Sequence, residues 1–388
     1  MISCHEVIVM ACFHPNYVLQ RDGQSRFMGS GAFLKSSDLY YDNAANFKTL
    51  VPCGRCMGCR LDHARVWADR MLLELRDNDY KAIFVTMTYN NSSIPHAWKA
   101  GYNYYNGFDD YADPLYMDED EDDWIAAAAG APTTLSVRDT QLFMKRLRKY
   151  FKGRRIRYFL AGEYGPRTKR PHYHAIIYGL TLDDFPDLVI KDFNQLGQPR
   201  YMSKTFADIW GKGFCMLAAV NWNTCSYVSR YTMKKVFSSD NPIEFVNGRV
   251  PAFCTMSRRP GIGLLHADDL LQKGDKVFVR DADINGKECV REIYLGRPFI
   301  RSALNAHLKS VFDGSCDVKK ELPNITSLYA RQKDRAYNSI QRSKSNLAAF
   351  GSCVLEFYQR KELYFLDRTK LLPERGDLFE QAETSKSG

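Results

Sequence analysis

Two of the chain's 8 histidines, His172 and His174, lie one residue apart in the apolar run KRPHYHAIIYG. In a β-strand, residues i and i+2 project from the same face, so both imidazoles would point in the same direction. The opposite face of this strand would carry Tyr173, Ala175 and Ile177. Paired imidazoles suit a metal site, because histidine is a frequent metal ligand. The alternative is that they are two ordinary polar side chains.

A carboxylate precedes the histidine pair on the neighbouring predicted strand. Glu163, in AGEYGP, lies nine residues before His172. A hairpin between the two strands would bring Glu163 close to both imidazoles. Two neutral imidazoles and one carboxylate can hold a divalent cation while leaving positions open for substrate oxygens and water. The alternative role for Glu163 is the capping of a turn.

Two tyrosines, Tyr227 and Tyr231, follow on a predicted helix. Residues four apart are neighbours on one helical face, and Arg230, Lys234 and Lys235 flank them. A phenol has a pKa of about 10 and is a poor nucleophile unless a charge or a metal assists it. Attack on a phosphodiester would link tyrosine to a DNA 5′ end, reversibly and without ATP. A second tyrosine would allow a second transfer, although such a pair is also typical of a packed helix face.

The elements around these residues predict an α+β fold with a mainly antiparallel central sheet flanked by helices. Hairpin-linked strands alternate with amphipathic helices, and Ser136 is a predicted N-cap. Asn223 or Thr224 is the predicted cap of the tyrosine-bearing helix. The predicted strands cover 82–89, 155–164, 172–179 and 214–220, and the predicted helices begin near residue 57, cover 136–150, end near 210 and cover 223–236.

Four segments are predicted along the chain. Residues 1–80 form a cysteine-rich segment with the first helix, and 81–240 form the core with an acidic, partly disordered insertion at about 91–134. Residues 241–300 form a strand-rich extension, and 301–388 form a helical C-terminal region with a disordered tail.

Charge and composition favour a nucleic-acid partner without requiring one. The 388 residues carry 54 Lys and Arg against 45 Asp and Glu, a formal net charge of +9. The chain has no long uncharged apolar run and no basic region before its first apolar stretch, so we expect neither a membrane span nor a secretory signal. Basic residues interleaved with aromatics resemble a groove that follows a phosphate backbone, although a solvated helix face has the same composition. The predicted DNA-binding residues are Lys145, Arg146, Arg148, Lys149, Arg154, Arg155, Arg258 and Arg259.

The 11 cysteines suit a reducing compartment better than a disulfide scaffold. Cys53, Cys56 and Cys59 form the cluster CGRCMGC, and Cys12 could return from upstream to complete a tetrahedral zinc site. The alternatives are part of an iron–sulfur ligand set and three reduced thiols without metal. Other candidate fourth ligands are Cys4, His5 and His14.

The ordered motifs resemble the HUH endonucleases, and more narrowly the replication initiators of gokushoviruses and related Microviridae. The motifs are CFHP, PCGRCMGCR, FVTMTYN, GEYG, RPHYHAIIYG, WGKGF, YVSRYTMKK and MSRRPGIG, spanning roughly residues 12–263. The resemblance implies an HUH fold in which His172, His174 and Glu163 bind Mg²⁺ or Mn²⁺. It implies that Tyr227 and Tyr231 are alternating nucleophiles, assisted by Arg230 or Lys234; Arg230 stands where the family pattern has lysine.

The resemblance also implies a role in rolling-circle replication. The protein would nick origin double-stranded DNA of the replicative form, remain on the 5′ end, and leave a 3′-OH primer. It would later rejoin the displaced single-stranded DNA. The implied partners are host polymerase, helicase and single-strand-binding protein in the cytoplasm of a bacterial host, with no membrane. The rival interpretations are an HUH transposase and a non-catalytic, zinc-bearing DNA-binding regulator.

Overall fold

The computed structural model describes residues 12–22, 24–43, 45–97, 132–165, 168–194, 197–236, 249–282, 287–350 and 362, without the side chains of 231–236 and 349–350. Most of the predicted acidic insertion, the C-terminal tail, Cys4 and His5 lie outside these residues.

A seven-stranded sheet carries the candidate site. In chain order its strands are β5 (Ala82–Tyr89), β6 (Arg157–Tyr164), β7 (Pro171–Tyr178), β8 (Val189–Phe193), β9 (Pro199–Met202), β10 (Gly213–Ala219) and β11 (Phe253–Met256). Their spatial order is β11-β6-β7-β5-β10-β9-β8, and every neighbouring pair is antiparallel. The predicted α+β class with a large antiparallel sheet is therefore confirmed.

One face of this sheet packs against α2 (Val137–Tyr150) and α3 (Lys204–Trp210). The α2 helix begins as predicted, because the Ser136 hydroxyl accepts a hydrogen bond from the Asp139 amide (3.1 Å). Phe143, Phe206 and Trp210 are fully buried against this face. The Tyr173 hydroxyl lies 2.8 Å from that of Tyr89 in the same core, and burial raises the pKa of both phenols.

The other face of the sheet packs against the C-terminal part of α1 (Met57–Asp77) and against α4 (Trp222–Val236). The Tyr178 hydroxyl donates to the carbonyl of Met71 (3.1 Å). Glu74 on α1 accepts two hydrogen bonds from Arg157 on β6, and both side chains are buried. Removing one partner of such an ion pair costs about 3–5 kcal/mol, so this pair fixes α1 on the sheet.

Two of the strands in this sheet, β8 and β9, form a hairpin that the sequence did not predict. They have five and four residues, and the residues of β8 are mostly exposed. Short strands with polar faces lack the apolar alternation on which strand prediction depends.

The contact pattern divides the chain into two compact units, 1–69 with 263–280 and 290–388, and 70–262 with 281–289. The first unit contains an unpredicted four-stranded sheet of order β2-β1-β4-β3, built from β1 (Asn16–Arg21), β2 (Gln24–Ser30), β3 (Tyr40–Asn43) and β4 (Asn46–Val51). The four-segment division remains a prediction about the sequence.

The remaining elements follow the sequence expectation of a strand pair and then helices. They are α5 (Ala267–Lys273), β12 (Lys276–Ala282), β13 (Glu288–Tyr294), α6 (Arg297–Phe312) and α7 (Val318–Phe350). Within the first unit α7 packs against the small sheet, where the Tyr337 and Tyr41 rings lie 5.4 Å apart. Among the described helices, none has the length and apolarity needed to cross a bilayer.

Candidate active site

The register between β6 and β7 brings the predicted metal ligands together. Glu163 lies directly opposite His172, and His174 lies two residues further along the same face. The Glu163 Oε1 atom is 2.9 Å from His172 Nε2 and 3.2 Å from His174 Nε2. These residues are only 5%, 8% and 2% exposed, respectively. Buried charges are normally paired or bound to metals, so this donor set fits a divalent cation.

A second layer of hydrogen bonds orients both imidazoles. His172 Nδ1 lies 3.2 Å from the carbonyl oxygen of Arg170, which can only accept, so this nitrogen carries the proton. His172 Nε2 then faces a carboxylate oxygen, and a cation between the two satisfies both groups. His174 Nδ1 lies 3.0 Å from the Thr86 hydroxyl. Partners of this kind fix ring orientation in metal sites.

Sequence reasoning missed Thr86. The residue belongs to the strand FVTMTYN, whose alternation is visible, but only the pairing of β5 with β7 aligns Thr86 with His174. The same pairing aligns Thr88 with His172, so both threonines share the face of the histidines.

Tyr227 on α4 reaches the histidine pair. Its hydroxyl lies 3.4 Å from His174 Nε2, and the two rings are 5.1 Å apart at 84°. Phe84, also missed from the sequence, stacks on His174 at 5.9 Å and meets the edge of Tyr227 at 6.1 Å. The phenol therefore lies against the ligand cluster, with an apolar ring limiting its movement.

The start of α4 differs from the sequence expectation. Asn221 caps it, since its side-chain oxygen accepts from the Thr224 amide (3.0 Å) while the Thr224 hydroxyl accepts from the Asn221 amide (2.9 Å). The Trp222 amide also donates to Asp281 (2.9 Å). The helix therefore begins at Trp222, earlier than predicted, because the reciprocal cap uses Thr224 inside the first turn.

The other predicted catalytic residues also lie on α4. Arg230 is half-buried, whereas Tyr231 and Lys234 belong to the stretch whose side chains are not described. Tyr231 follows Tyr227 by four residues, about one helical turn. The roles of these three residues remain predictions.

The predicted DNA-binding residues fall into two groups. Those on or just after α2 lie by the face of the sheet opposite the ligand cluster, and several make internal contacts. Arg146 donates to the carbonyls of Ile209 and Trp210 at the end of α3, and Arg154 pairs with Asp184. Arg258 and Arg259 are exposed and follow edge strand β11. Lys145, Arg148, Lys149 and Arg155 are also exposed.

The four cysteines considered from the sequence meet in the first unit. The pairing of Asn16 with Val51 joins the start of β1 to the end of β4, which brings Cys12 beside Cys53. All four sulfurs, including those of Cys56 and Cys59, lie within 4.8 Å of one another. The hydrogen bond with Cys12 lowers the pKa of the Cys59 thiol to about 6 and raises the pKa of Cys12 itself.

The sheet, the buried donor set and the adjoining phenol together define a class of site: a nucleophile-bearing helix over a candidate cation centre on an antiparallel sheet. Comparison with known proteins narrows this class. Residues 82–236, which include the whole candidate site, match the model of the replication-associated protein ORF2 family.

Three curated relatives carry similar names. The chain is 30% identical over 247 residues to replication-associated protein ORF2 of Spiroplasma virus 4, covering 62% of this chain and 64% of the relative. It is 29% identical over 215 residues to replication-associated protein VP4 of Bdellovibrio phage phiMH2K (53% and 56%). It is 23% identical over 213 residues to replication-associated protein ORF4 of Chlamydia phage 1 (53% and 43%).

These alignments span less than two thirds of each relative's length. They confirm the resemblance inferred from the motifs: the chain is related to the replication-associated proteins of small phages. No solved structure matches the chain, so its HUH assignment remains a prediction.

Proposed function

We propose that this protein initiates rolling-circle replication of a small single-stranded DNA phage, inside the bacterial host, by nicking one strand of the replicative form. The observation that carries the proposal is the 3.4 Å approach of the Tyr227 hydroxyl to His174 Nε2, inside the cluster completed by His172 and Glu163. A packed helix face would not need three buried ionisable groups beneath it.

The cluster of His172, His174 and Glu163 would hold Mg²⁺ or Mn²⁺, which polarises the phosphate and stabilises charge on the leaving oxygen. Each ligand already has its place: Arg170 and Thr86 orient the imidazoles, and the β6–β7 register sets the carboxylate between them. Such preorganisation means that little reorganisation accompanies the reaction.

The protein's own nucleophile is the Tyr227 phenol. Its oxygen forms the new bond to phosphorus as it loses its proton, and the bond from phosphorus to the 3′ oxygen breaks. The leaving oxygen gains a proton and becomes the 3′-OH primer. A phosphodiester replaces a phosphodiester, so the step is reversible. Tyr231, one turn further along α4, would take the second transfer, with Arg230 or Lys234 pairing with phosphate.

Host polymerase, helicase and single-strand-binding protein would extend the primer and handle the displaced strand. These partners, like the origin DNA itself, follow from the proposed reaction.

The test is covalent capture. Full-length protein is incubated with Mn²⁺ and a single-stranded origin oligonucleotide labelled at its 3′ end, and adducts are resolved on denaturing gels. We expect a labelled adduct that is lost in Tyr227→Phe combined with Tyr231→Phe. Tyr227→Phe alone should block the first cleavage. Tyr150→Phe, an exposed tyrosine at the end of α2, is the matched control and should keep full yield.

Normal adduct yield from the double variant would defeat the proposal. Retention of the oligonucleotide without metal-dependent cleavage would instead support a DNA-binding regulator. Cleavage only at the ends of a mobile element would support a transposase.

A further inference from the structure

We propose that Cys12, Cys53, Cys56 and Cys59 bind one zinc ion as a mononuclear four-thiolate site. The site would join the start of the small sheet to the start of α1, and it is independent of the nicking chemistry. Cys12 precedes β1, Cys53 follows β4, and Cys59 lies in the first turn of α1. The proposal rests on sulfur spacing, on the amides around the sulfurs and on the position of these residues in the chain.

The sulfur spacing fits a single tetrahedral ion. With Zn–S bonds of about 2.3 Å, the edges of the tetrahedron are about 3.8 Å. The Cys12 and Cys56 sulfurs lie 3.8 Å apart, and those of Cys53 and Cys59 lie 3.9 Å apart. Both distances far exceed the bond of about 2.05 Å in a disulfide. The arrangement is therefore that of ligands around an ion rather than of two crosslinks.

The same spacing argues against an iron–sulfur cluster. Such a cluster places several iron and sulfide atoms among its cysteine ligands, which holds their sulfurs farther apart than a single ion does. All four sulfurs here lie within 4.8 Å of one another. Zinc is the expected occupant because soft thiolate ligands in a closed tetrahedral set favour it.

Backbone amides offset the negative charge that four thiolates around Zn²⁺ would leave. The Phe13 amide donates to Cys56 Sγ (3.2 Å), and the Cys53 amide donates to Cys12 Sγ (3.2 Å). The amides of Arg55 and Cys56 both donate to Cys53 Sγ, at 3.4 and 3.3 Å. Cys59 also lies at the positive end of α1. Such hydrogen bonds are the outer support that metal ligands require.

The geometry assigns the fourth position to Cys12 rather than to His14. The His14 side chain is 58% exposed, and its Nε2 lies 3.2 Å from Glu362. Cys12 is buried, and its sulfur is in contact with the other three.

The experiment measures metal on the full-length protein, purified without chelator and dialysed against Mg²⁺ buffer. We expect one zinc ion per chain by elemental analysis. Replacement by Co²⁺ should produce thiolate-to-cobalt charge-transfer absorption. Co²⁺ at the histidine–glutamate cluster has no sulfur ligand and would not produce that band.

Variants assign the ligands. Cys12→Ser should lose the zinc and the charge-transfer band, whereas Cys316→Ser, a cysteine of the same unit outside the cluster, should keep both. If Cys12→Ser fails to fold, titration of wild-type protein with a mercurial reagent should release zinc in step with the modification of four thiols. Tyr227→Phe should keep its zinc even if the nicking proposal fails.

Three results would overturn the proposal. The first is wild-type protein without stoichiometric zinc and with all four thiols reactive. The second is stoichiometric iron with acid-labile sulfide. The third is a Cys12→Ser variant with unchanged zinc content and unchanged cobalt spectrum.

Discussion

Among single residues, Thr86 has the clearest effect on the candidate cation centre without being a ligand. Its hydroxyl lies 3.0 Å from His174 Nδ1 and fixes the ring whose other nitrogen points toward Glu163 and Tyr227. Losing such an outer partner typically weakens metal binding by about 10–100-fold.

Thr86→Val should therefore lower Mn²⁺ affinity by about 10–100-fold, since valine keeps the shape but cannot hydrogen-bond to His174. Isothermal titration with Mn²⁺ measures this effect. Thr88→Val is the matched control: it lies on the same strand and face, but its hydroxyl bonds to the Phe214 carbonyl (3.4 Å) and not to a histidine. Equal affinities for both variants and wild type would contradict the positioning role of Thr86.

At the scale of elements, two features create the candidate site: the β6–β7–β5 register and the docking of α4. The register puts the three ligands and Thr86 on one face, and a shift of one residue would send the histidines into the core occupied by Tyr173. The cap at Asn221 determines where α4 begins and hence where Tyr227 lies.

Asn221→Ala should weaken the first turn of α4 by about 1 kcal/mol, the usual cost of losing an N-cap. That energy raises local opening about fivefold, so hydrogen–deuterium exchange in a peptide covering residues 222–230 should speed up accordingly. Asn223→Ala removes the same side chain from inside the helix, where alanine is favoured, and should leave exchange unchanged or slower. Faster exchange in Asn223→Ala alone would mean that the cap is assigned wrongly.

At the scale of the whole molecule, the question is which surface guides DNA to Tyr227. The sheet separates α2 from the ligand cluster. Arg258 and Arg259 follow β11, whose Cys254 and Met256 pair with Ala161 and Phe159, on the same face of β6 as Glu163. A path over the site's face therefore favours the second pair of arginines over the α2 lysines.

Combined Arg258→Ala and Arg259→Ala should weaken binding to single-stranded DNA and make the slope of log affinity against log salt shallower by about 1.4, the expectation for two lost phosphate contacts. Lys145→Ala with Lys149→Ala removes the same charge from exposed positions on α2 and should change the slope little. Fluorescence anisotropy over a salt series measures both. The reverse ranking would place the DNA over α2.

The sequence by itself determined the ligand types, their alternation on β7, the strands around them, the start of α2 at Ser136 and the presence of a cysteine cluster. These are local properties, because strand alternation, helix periodicity and capping depend on residues a few positions apart. They were enough for the α+β class and for the resemblance to phage replication proteins.

Only the tertiary structure decided that Thr86 and Phe84 touch His174, that Cys12 joins the other three cysteines, and that α2 lies on the opposite face from the site. Each of these contacts joins distant segments through strand register or helix docking, which no local pattern encodes. The sheet of β1 to β4 escaped prediction for a related reason: its strands are short and largely half-exposed, so their stability comes from their partners rather than from their own apolar pattern.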